Sequence, residues 1–390
     1  MIRTLQELDL SGKCVFVRVD FNVPIKQGRI VEPHRIERAL PTLRLILPKA
    51  KKILIASHLG RPGGKKDLGY SLAPVRDHLE RFLSQPVTLA PDCIGPDVEA
   101  LVQDPRYKVI LLENLRFHKE EEKNDPVFSR ALALLADVYI NDAFGAAHRA
   151  HASTSGMAKF FREKATGILL QKELDYLGRI LSTPERPFVT LLGGAKVSDK
   201  IGVLRNLLPK ISTLLIGGAM AYTFLKAKGI PVGKSLVEED QISLAQELIT
   251  QAADLRTTLF LPVDHIAAEE SKEKPITTDV SIPSNHMGLD IGPKTITQFN
   301  QEIRNAGMVL WNGPVGLFEV EPFSHGTKFI AQALAESKAI SIVAGGDTVA
   351  AVIQAGVEEK ITHLSTGGGA TLEFLEGKRL PGIQALEDGE

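Results

Sequence analysis

Two sets of residues in this 390-residue chain have the types and spacing to do chemistry. The first is cationic and lies in the N-terminal half. Asp20-Phe21-Asn22, Ser57-His58-Leu59-Gly60-Arg61, Glu113-Asn114-Leu115-Arg116 and the run from Asn141 to His151, with His148 and Arg149, each follow a short β-rich run. Arg35 instead opens a helical pattern. Guanidinium forks take carboxylate and phosphate oxygens two at a time. Ligands of open α/β sheets bind beyond the carboxyl ends of the strands. Four arginines and up to three histidines meeting at that edge would hold a small molecule carrying both a phosphate and a carboxylate. Any one of these arginines taken singly is as well explained by a structural ion pair. Arg18, inside a β-rich run, is read as structural.

The second set is glycine-rich and lies in the C-terminal half. Gly193-Gly194-Ala195-Lys196, Gly217-Gly218, Gly345-Gly346-Asp347-Thr348 and Thr366-Gly367-Gly368-Gly369-Ala370 each join a strand-like run to a helical one. Such junctions let phosphate oxygens approach N–H groups at a helix N-terminus. Close helix–sheet packing explains a single Gly-Gly equally well. Lys196 and Lys200 add positive charge, and Asp347 is a hard oxygen ligand suited to Mg²⁺ carried by a nucleotide. Glu319 suits ribose hydroxyls or plain solvation, and Gly288 suits a flat base or a plain turn. Trp311 is read as core.

Other chemistries lack their motifs. No GxGxxG, HExxH, GxSxG or CxxC pair occurs, and Gly229 to Ser235 falls one residue short of a Walker A spacing. An anion-substrate lobe and a nucleotide-phosphate lobe together imply phosphoryl transfer without a Walker A. The rivals are a two-lobed NAD-dependent dehydrogenase and a non-catalytic phosphate-ligand binding protein.

The elements that must position these residues alternate. Strands are expected at 15–19, 52–57, 108–113 and 137–141, with helices over 33–47 and from Ser71 to Leu83. Asp125-Pro126 opens a further helix as N-cap and first-turn proline. An amphipathic helix over 166–181 ends before Pro184 and Pro187. A second series follows, with strands at 188–192, 212–217, 258–264, 307–311, 340–344 and 361–364 and helices at 198–208, 219–227, 240–254, 293–305, 324–337 and 347–355. Repeated β-then-α order predicts an α/β fold of two lobes, each a largely parallel, Rossmann-like three-layer sheet flanked by helices, joined by a helix and hinge. The expected domains are residues 1–165, with 378–390 returning to them, a linker helix at 166–182 and a second lobe at 183–377.

Composition narrows the partners. The formal net charge of -1 provides no global positive field for nucleic acid or an anionic membrane. The uncharged stretch from Ile211 to Leu225 is too short to span a bilayer, and the N-terminus has no signal-like apolar core. Two cysteines, Cys14 and Cys93, make no secreted framework, so a reducing cytoplasmic setting is expected. Cys14 is read as buried.

Longer strings resemble a known family. Val17 to Pro24, Ser57 to Pro62, Leu112 to Phe117, Asn141 to Gly145, Gly193 to Lys200, Trp311 to Gly316, Ala344 to Thr348 and Ser365 to Ala370 resemble phosphoglycerate kinase signatures, in order along the whole chain. The resemblance implies that Asp20, Phe21, Asn22, Arg35, His58, Leu59, Gly60, Arg61, Arg116 and Arg149 bind 3-phosphoglycerate. It implies that Lys200, Gly288, Glu319 and the turn Gly345, Gly346, Asp347 and Thr348 bind ATP, with Asp347 on Mg²⁺. Arg35, Lys196, Lys200, Gly346 and Gly368 would serve the transfer itself. A monomer that closes about the linker helix, without a tightly bound organic cofactor, is implied as well. Two departures stand out: Ile30 to Arg35 is atypical before the helical arginine, and Val315 replaces a bulkier Met.

Overall fold

Runs of β-branched and leucine residues dictate strands that are covered on both faces, and this is what forms. The computed structural model describes residues 2–387. Residues 388–390 of the expected returning tail lie outside the described residues. The chain divides into two compact units, Met1–Asp175 with Arg379–Glu390, and Tyr176–Lys378.

The first unit contains β1 (Cys14–Arg18), β2 (Ile25–Lys26), β3 (Arg29–Ile30), β4 (Lys52–Ala56), β5 (Thr88–Leu89), β6 (Val109–Leu111), β7 (Val138–Asn141) and β8 (Lys164–Thr166). Its helices are α1 (His34–Ile46), α2 (Ala73–Leu83), α3 (Pro96–Gln103), α4 (Lys119–Glu122) and α5 (Pro126–Ala133). The main sheet runs in the order β5-β6-β4-β1-β7-β8, parallel throughout. Strands β4 and β7 are buried at every residue, as a sheet covered on both faces requires. Asp125 caps α5 by accepting from the N–H groups of Val127 and Phe128, both at 2.9 Å, with Pro126 in the first turn. At α2 the cap differs from expectation. Leu72 holds the N-cap position, and Ser71 Oγ accepts from Ala73 N at 3.2 Å while donating to Glu113 at 2.7 Å.

Helix α6 (Ile168–Ser182) contains the division between the units. Thr166, expected at its start, instead ends β8, whose register Asn141↔Thr166 ties it to β7. Asp142 accepts from Leu169 N and Leu170 N, at 2.9 and 3.1 Å, and so caps α6.

The second unit contains β9 (Phe188–Leu192), β10 (Thr213–Ile216), β11 (Thr258–Phe260), β12 (Asp264–Ala268), β13 (Ile276–Asp279), β14 (Met287–Ile291), β15 (Met308–Asn312), β16 (Ile340–Ala344) and β17 (His363–Leu364). Its remaining helices are α7 (Ile201–Leu207), α8 (Met220–Ala227), α9 (Ile242–Asp254), α10 (Pro293–Arg304), α11 (His325–Glu336), α12 (Gly346–Gln354) and α13 (Gly369–Leu375). A short α14 (Pro381–Gln384) returns to the first unit, where Gly382 O accepts from Asn141 Nδ2. The parallel order is β11-β10-β9-β15-β16-β17.

One expected strand is corrected. The run 258–264 divides between β11 of the parallel sheet and β12 of a separate antiparallel sheet, β13-β12-β14. Pro262 lacks the N–H a continuing ladder needs. The cysteine reading is corrected too. Both thiols are free, Cys14 is only partly buried, and Cys93 is the one fully enclosed.

Candidate functional site

Each sheet has a place beside its first strand where the strand order turns back, and there adjacent loops diverge to leave a crevice. In the first unit the chain leaves β1 toward β4 on one side and returns to β7 on the other. Asp20, His58 and Asp142 follow these three strands. Asp20 Oδ2 accepts from Arg35 Nη1 at 2.6 Å, and its Oδ1 lies 3.9 Å from His58 Nε2. Helix α1 places Arg35 in its first turn, directly over the end of β1.

Two of the paired groups are biased by their surroundings. Burial alone would raise the Asp20 pKa, but the charges of Arg35 and Arg18 and the hydrogen bond from Asn22 N outweigh it and hold the carboxyl below its ordinary value. Burial pushes His58 well below the ordinary histidine value, and Arg18, Arg116 and Arg35 push the same way against Asp20. The ring is therefore neutral. Arg18 Nη2 lies 3.2 Å from His58 Nδ1, and a guanidinium can only donate. Nδ1 must accept, so the ring proton sits on Nε2, on the Asp20 side.

Arg18 is the residue that sequence reasoning set aside. Its side chain is fully buried and bridges the site to a second carboxylate. Arg18 Nε donates to Ser153 Oγ at 2.7 Å, and Ser153 Oγ donates to Glu121 Oε1 at 2.6 Å. Glu121 is fully buried, and burial raises its pKa despite Arg18 and the Ser153 hydrogen bonds. An arginine at the last position of a strand, at the edge where ligands gather, was the available signal.

The other expected anion-site residues fall into three groups. Asn22 Oδ1 accepts from Gly60 N at 2.9 Å, and Gly60 O accepts from Arg116 Nη1 at 2.7 Å, so Asn22, Gly60 and Arg116 form one chain of contacts. Arg116 is buried, with Nε 3.2 Å from Glu122. Arg149 is exposed, near enough to bias the titration of Arg116 and His151, and its Nε donates to His148 at 3.1 Å. Arg61 is exposed on the loop after Gly60. Phe21 and Leu59 form the third group. Both side chains are buried in the core, and their N–H groups already serve Ser57 Oγ and Asn114 Oδ1. Apolar side chains beside charged loops gain more from the core than from the crevice.

In the second unit the order turns back between β9 and β15. Here the glycine junctions divide into two kinds. The loops after β9, β10 and β15 interlock backbone against backbone. A Cβ on Gly193 would lie 2.2 Å from Pro314 O, one on Gly313 2.3 Å from Gly193 O, and one on Gly218 2.6 Å from Gly194 N. The N–H groups of Gly193, Gly194, Gly217 and Gly218 bond to Asn312, Pro314, Leu192 and Val315 carbonyls at 2.9–3.0 Å. Gly193, Gly217 and Gly218 therefore pack, and their N–H groups are taken by carbonyls rather than left for phosphate, whereas Gly194, with φ +93, has nothing within 4 Å of a notional Cβ. Gly345 differs. It adopts φ +91 as N-cap of α12, so Gly346, Asp347 and Thr348 form that helix's first turn. First-turn N–H groups have no intrahelical partner. Gly346 has nothing within 4 Å of a notional Cβ, and it is exposed. Thr348 is buried and Oγ1 accepts from Gly313 N at 2.7 Å. Gly368, with φ +53, caps the shorter α13.

A cavity of about 360 Å³ opens beside these loops, floored by Gly194, Gly218 and Gly288 and walled by Tyr222, Leu289, Val315 and Leu317. Glu319 and Asp347 line it as carboxylates, and both are exposed. Gly288 lies on β14 of the antiparallel sheet, with N donating to Ser235 Oγ at 2.9 Å. Lys200 is half-buried and donates from Nζ to Asn312 Oδ1. Burial lowers its pKa to about 8, against the opposing pull of Asp199 and Asp347. Lys196 is exposed on the preceding turn. Trp311 is core, its Nε1 donating to Gly313 O at 2.8 Å. Asp347 offers a hard oxygen donor at a helix N-terminus, and that donor chemistry fits Mg²⁺ carried with nucleotide phosphates.

A guanidinium-rich strand edge on one parallel α/β unit, and on the other a glycine-lined cavity with two acids, one of them close enough to Lys200 to bias its titration, fit a two-unit α/β phosphotransferase. The phosphoglycerate kinase family model matches residues 5–378. Phosphoglycerate kinases of Anaeromyxobacter dehalogenans (strain 2CP-C) and Moorella thermoacetica are 55% and 54% identical, over 99% of this chain and 100% and 99% of theirs. The phosphoglycerate kinase structure from Coxiella burnetii aligns with TM-score 0.88 and 42% identity, covering 99% of both chains. That from Pyrococcus horikoshii OT3 aligns with TM-score 0.82 and 32% identity, covering 99% of this chain and 98% of the other. The chain belongs to the phosphoglycerate kinase family. Its chemistry is phosphoryl transfer to a carboxyl acceptor, in the glycolytic exchange between 3-phosphoglycerate and 1,3-bisphosphoglycerate.

Proposed function

We propose that the first unit binds 3-phosphoglycerate through Asp20, Asn22, Arg35, His58, Arg61, Arg116 and Arg149, and that the second binds MgATP through Lys200, Gly288, Glu319 and the turn Gly345 to Thr348. The Arg35–Asp20 pair beside a neutral His58 carries this reading. A guanidinium already oriented at the strand edge costs little to redirect toward an incoming carboxylate.

In the reaction a carboxylate oxygen of 3-phosphoglycerate attacks the γ-phosphorus in line. The bond to the β,γ-bridging oxygen breaks, and ADP leaves with that electron pair. Such transfers depend on alignment and charge neutralisation. Arg35 neutralises the acceptor carboxylate, while Lys196 and Lys200 meet charge on the moving phosphoryl group. N–H groups around Gly346 and Gly368 donate to phosphate oxygens. Asp347 would hold the magnesium carried with the nucleotide, and that ion would supply charge neutralisation on the phosphates. Acceptor and donor are held by different units, so the reaction requires a hinge closure that brings the reacting atoms to about 3–3.5 Å.

The enzyme works as a monomer in a reducing, cytoplasmic compartment. Two free thiols fit that setting, and among the described residues no helix is long and apolar enough to cross a membrane. ADP formation from MgATP, coupled to a chromogenic readout, is expected to depend strictly on 3-phosphoglycerate. ADP release at the same rate without that acceptor is the result that removes the proposal.

A further inference from the structure

The carboxyl ends of β5 and β6 hold a second cluster, for which phosphoryl transfer has no use. Asp92 and Cys93 follow β5, and His118 closes the 3₁₀ turn Leu115–Phe117 after β6. One ligand atom from each of Asp92, Cys93 and His118 lies within 4.8 Å of the others. His118 Nε2 is 2.6 Å from Asp92 Oδ1, and Cys93 Sγ donates to Glu113 O at 2.9 Å. The His118 ring is held by stacking on Phe128, centroid to centroid 4.9 Å. Cys93 is enclosed, whereas the Asp92 and His118 side chains are 44% and 23% exposed, so an ion can arrive from solvent past them.

A thiol, an imidazole and a carboxylate converging on one point are zinc's donors, and they are poor donors for Mg²⁺ or Ca²⁺.

We propose that Asp92, Cys93 and His118 form a Zn²⁺ site, with water in the fourth position. On binding, the Cys93 S–H bond breaks, its electron pair goes to zinc and the proton passes to solvent. His118 gives its Nε2 lone pair and carries its proton on Nδ1, so the ring stays neutral. Because His118 lies two residues beyond Arg116, the ion would also pin the turn that carries Arg116.

The test uses the full chain without nucleotide, with Co²⁺ and Zn²⁺ salts as the probes. Co²⁺ is expected to produce a near-ultraviolet thiolate-to-metal absorption that Cys14→Ser retains and Cys93→Ser abolishes. In chelator competition, Asp92→Asn and His118→Gln, both at partly exposed positions, are expected to weaken Zn²⁺ binding about tenfold or more. No thiolate band in the wild type, or a band that survives Cys93→Ser, overturns the proposal. If Cys93→Ser does not fold, unchanged Zn²⁺ affinity in the other two variants overturns it instead.

Discussion

Each unit is built on a six-stranded parallel sheet, and the ligand sites proposed for the two are made by opposite means. In the first they are side chains: Arg35 bonds Asp20 and Arg18 bonds His58 at the ends of parallel strands, with His58 3.9 Å from Asp20. In the second they are backbone: a cavity floored by glycines, beside a helix whose first turn begins at Gly346. A side-chain site tolerates truncation of one member without loss of the fold. A backbone site does not separate so cleanly, because its glycines also hold loops together. The difference teaches that charge placement and chain path are distinct ways to build an anion site, and that they fail differently.

The largest effect is expected at Arg35. Arg35→Ala should lower turnover by about 10²–10³-fold, the scale of losing one transition-state donor, while ATP affinity stays unchanged. Near-normal turnover would break the side-chain half of the comparison.

Gly218 sharpens the other half. It adopts φ +65, and a Cβ would meet Gly194 N at 2.6 Å. Gly218→Ala is expected to destabilise the fold by about 1–3 kcal/mol, read by denaturant unfolding. Full stability would mean that the interlocked loops do not constrain each other.

Gly346→Ala separates fold from ligand. With open space around it and ordinary helical backbone, the substitution should leave stability within about 1 kcal/mol. The new methyl group stands where phosphate would approach, so KM for ATP should rise about tenfold, equivalent to about 1.4 kcal/mol. An unchanged KM would mean that ATP does not use this turn.

Lys200 gives the smallest and most specific effect. Its pKa is lowered to about 8 by burial, so the amine is charged below that pH and neutral above it. In the free enzyme, kcat/KM for ATP should therefore fall as pH rises through about 8. Lys200→Arg should remove that limb, since a guanidinium stays charged across the range. A limb that persists in Lys200→Arg belongs to another group.

Much of the frame was legible before any coordinates. The β-then-α alternation, the Asp125-Pro126 helix start and the polar clusters following strands are local signals, each contained within a dozen residues. Arg35, Arg116 and the Gly345–Thr348 turn were marked by residue type and position alone. Other features were not legible. Residues 264–291 pair as an antiparallel sheet, and the two-residue strand β5 is too short for any periodicity to show.

What the sequence determined by itself was therefore the order of elements and the residue types at their ends, because hydrophobic period and capping chemistry act between near neighbours. Only the tertiary structure decided which glycines pack and which stay open. It also decided that Arg18 bonds His58 across 40 positions and that Asp92, Cys93 and His118 share one corner. These depend on strand order and register, which arise from the pairing of distant segments and leave no mark in any single one.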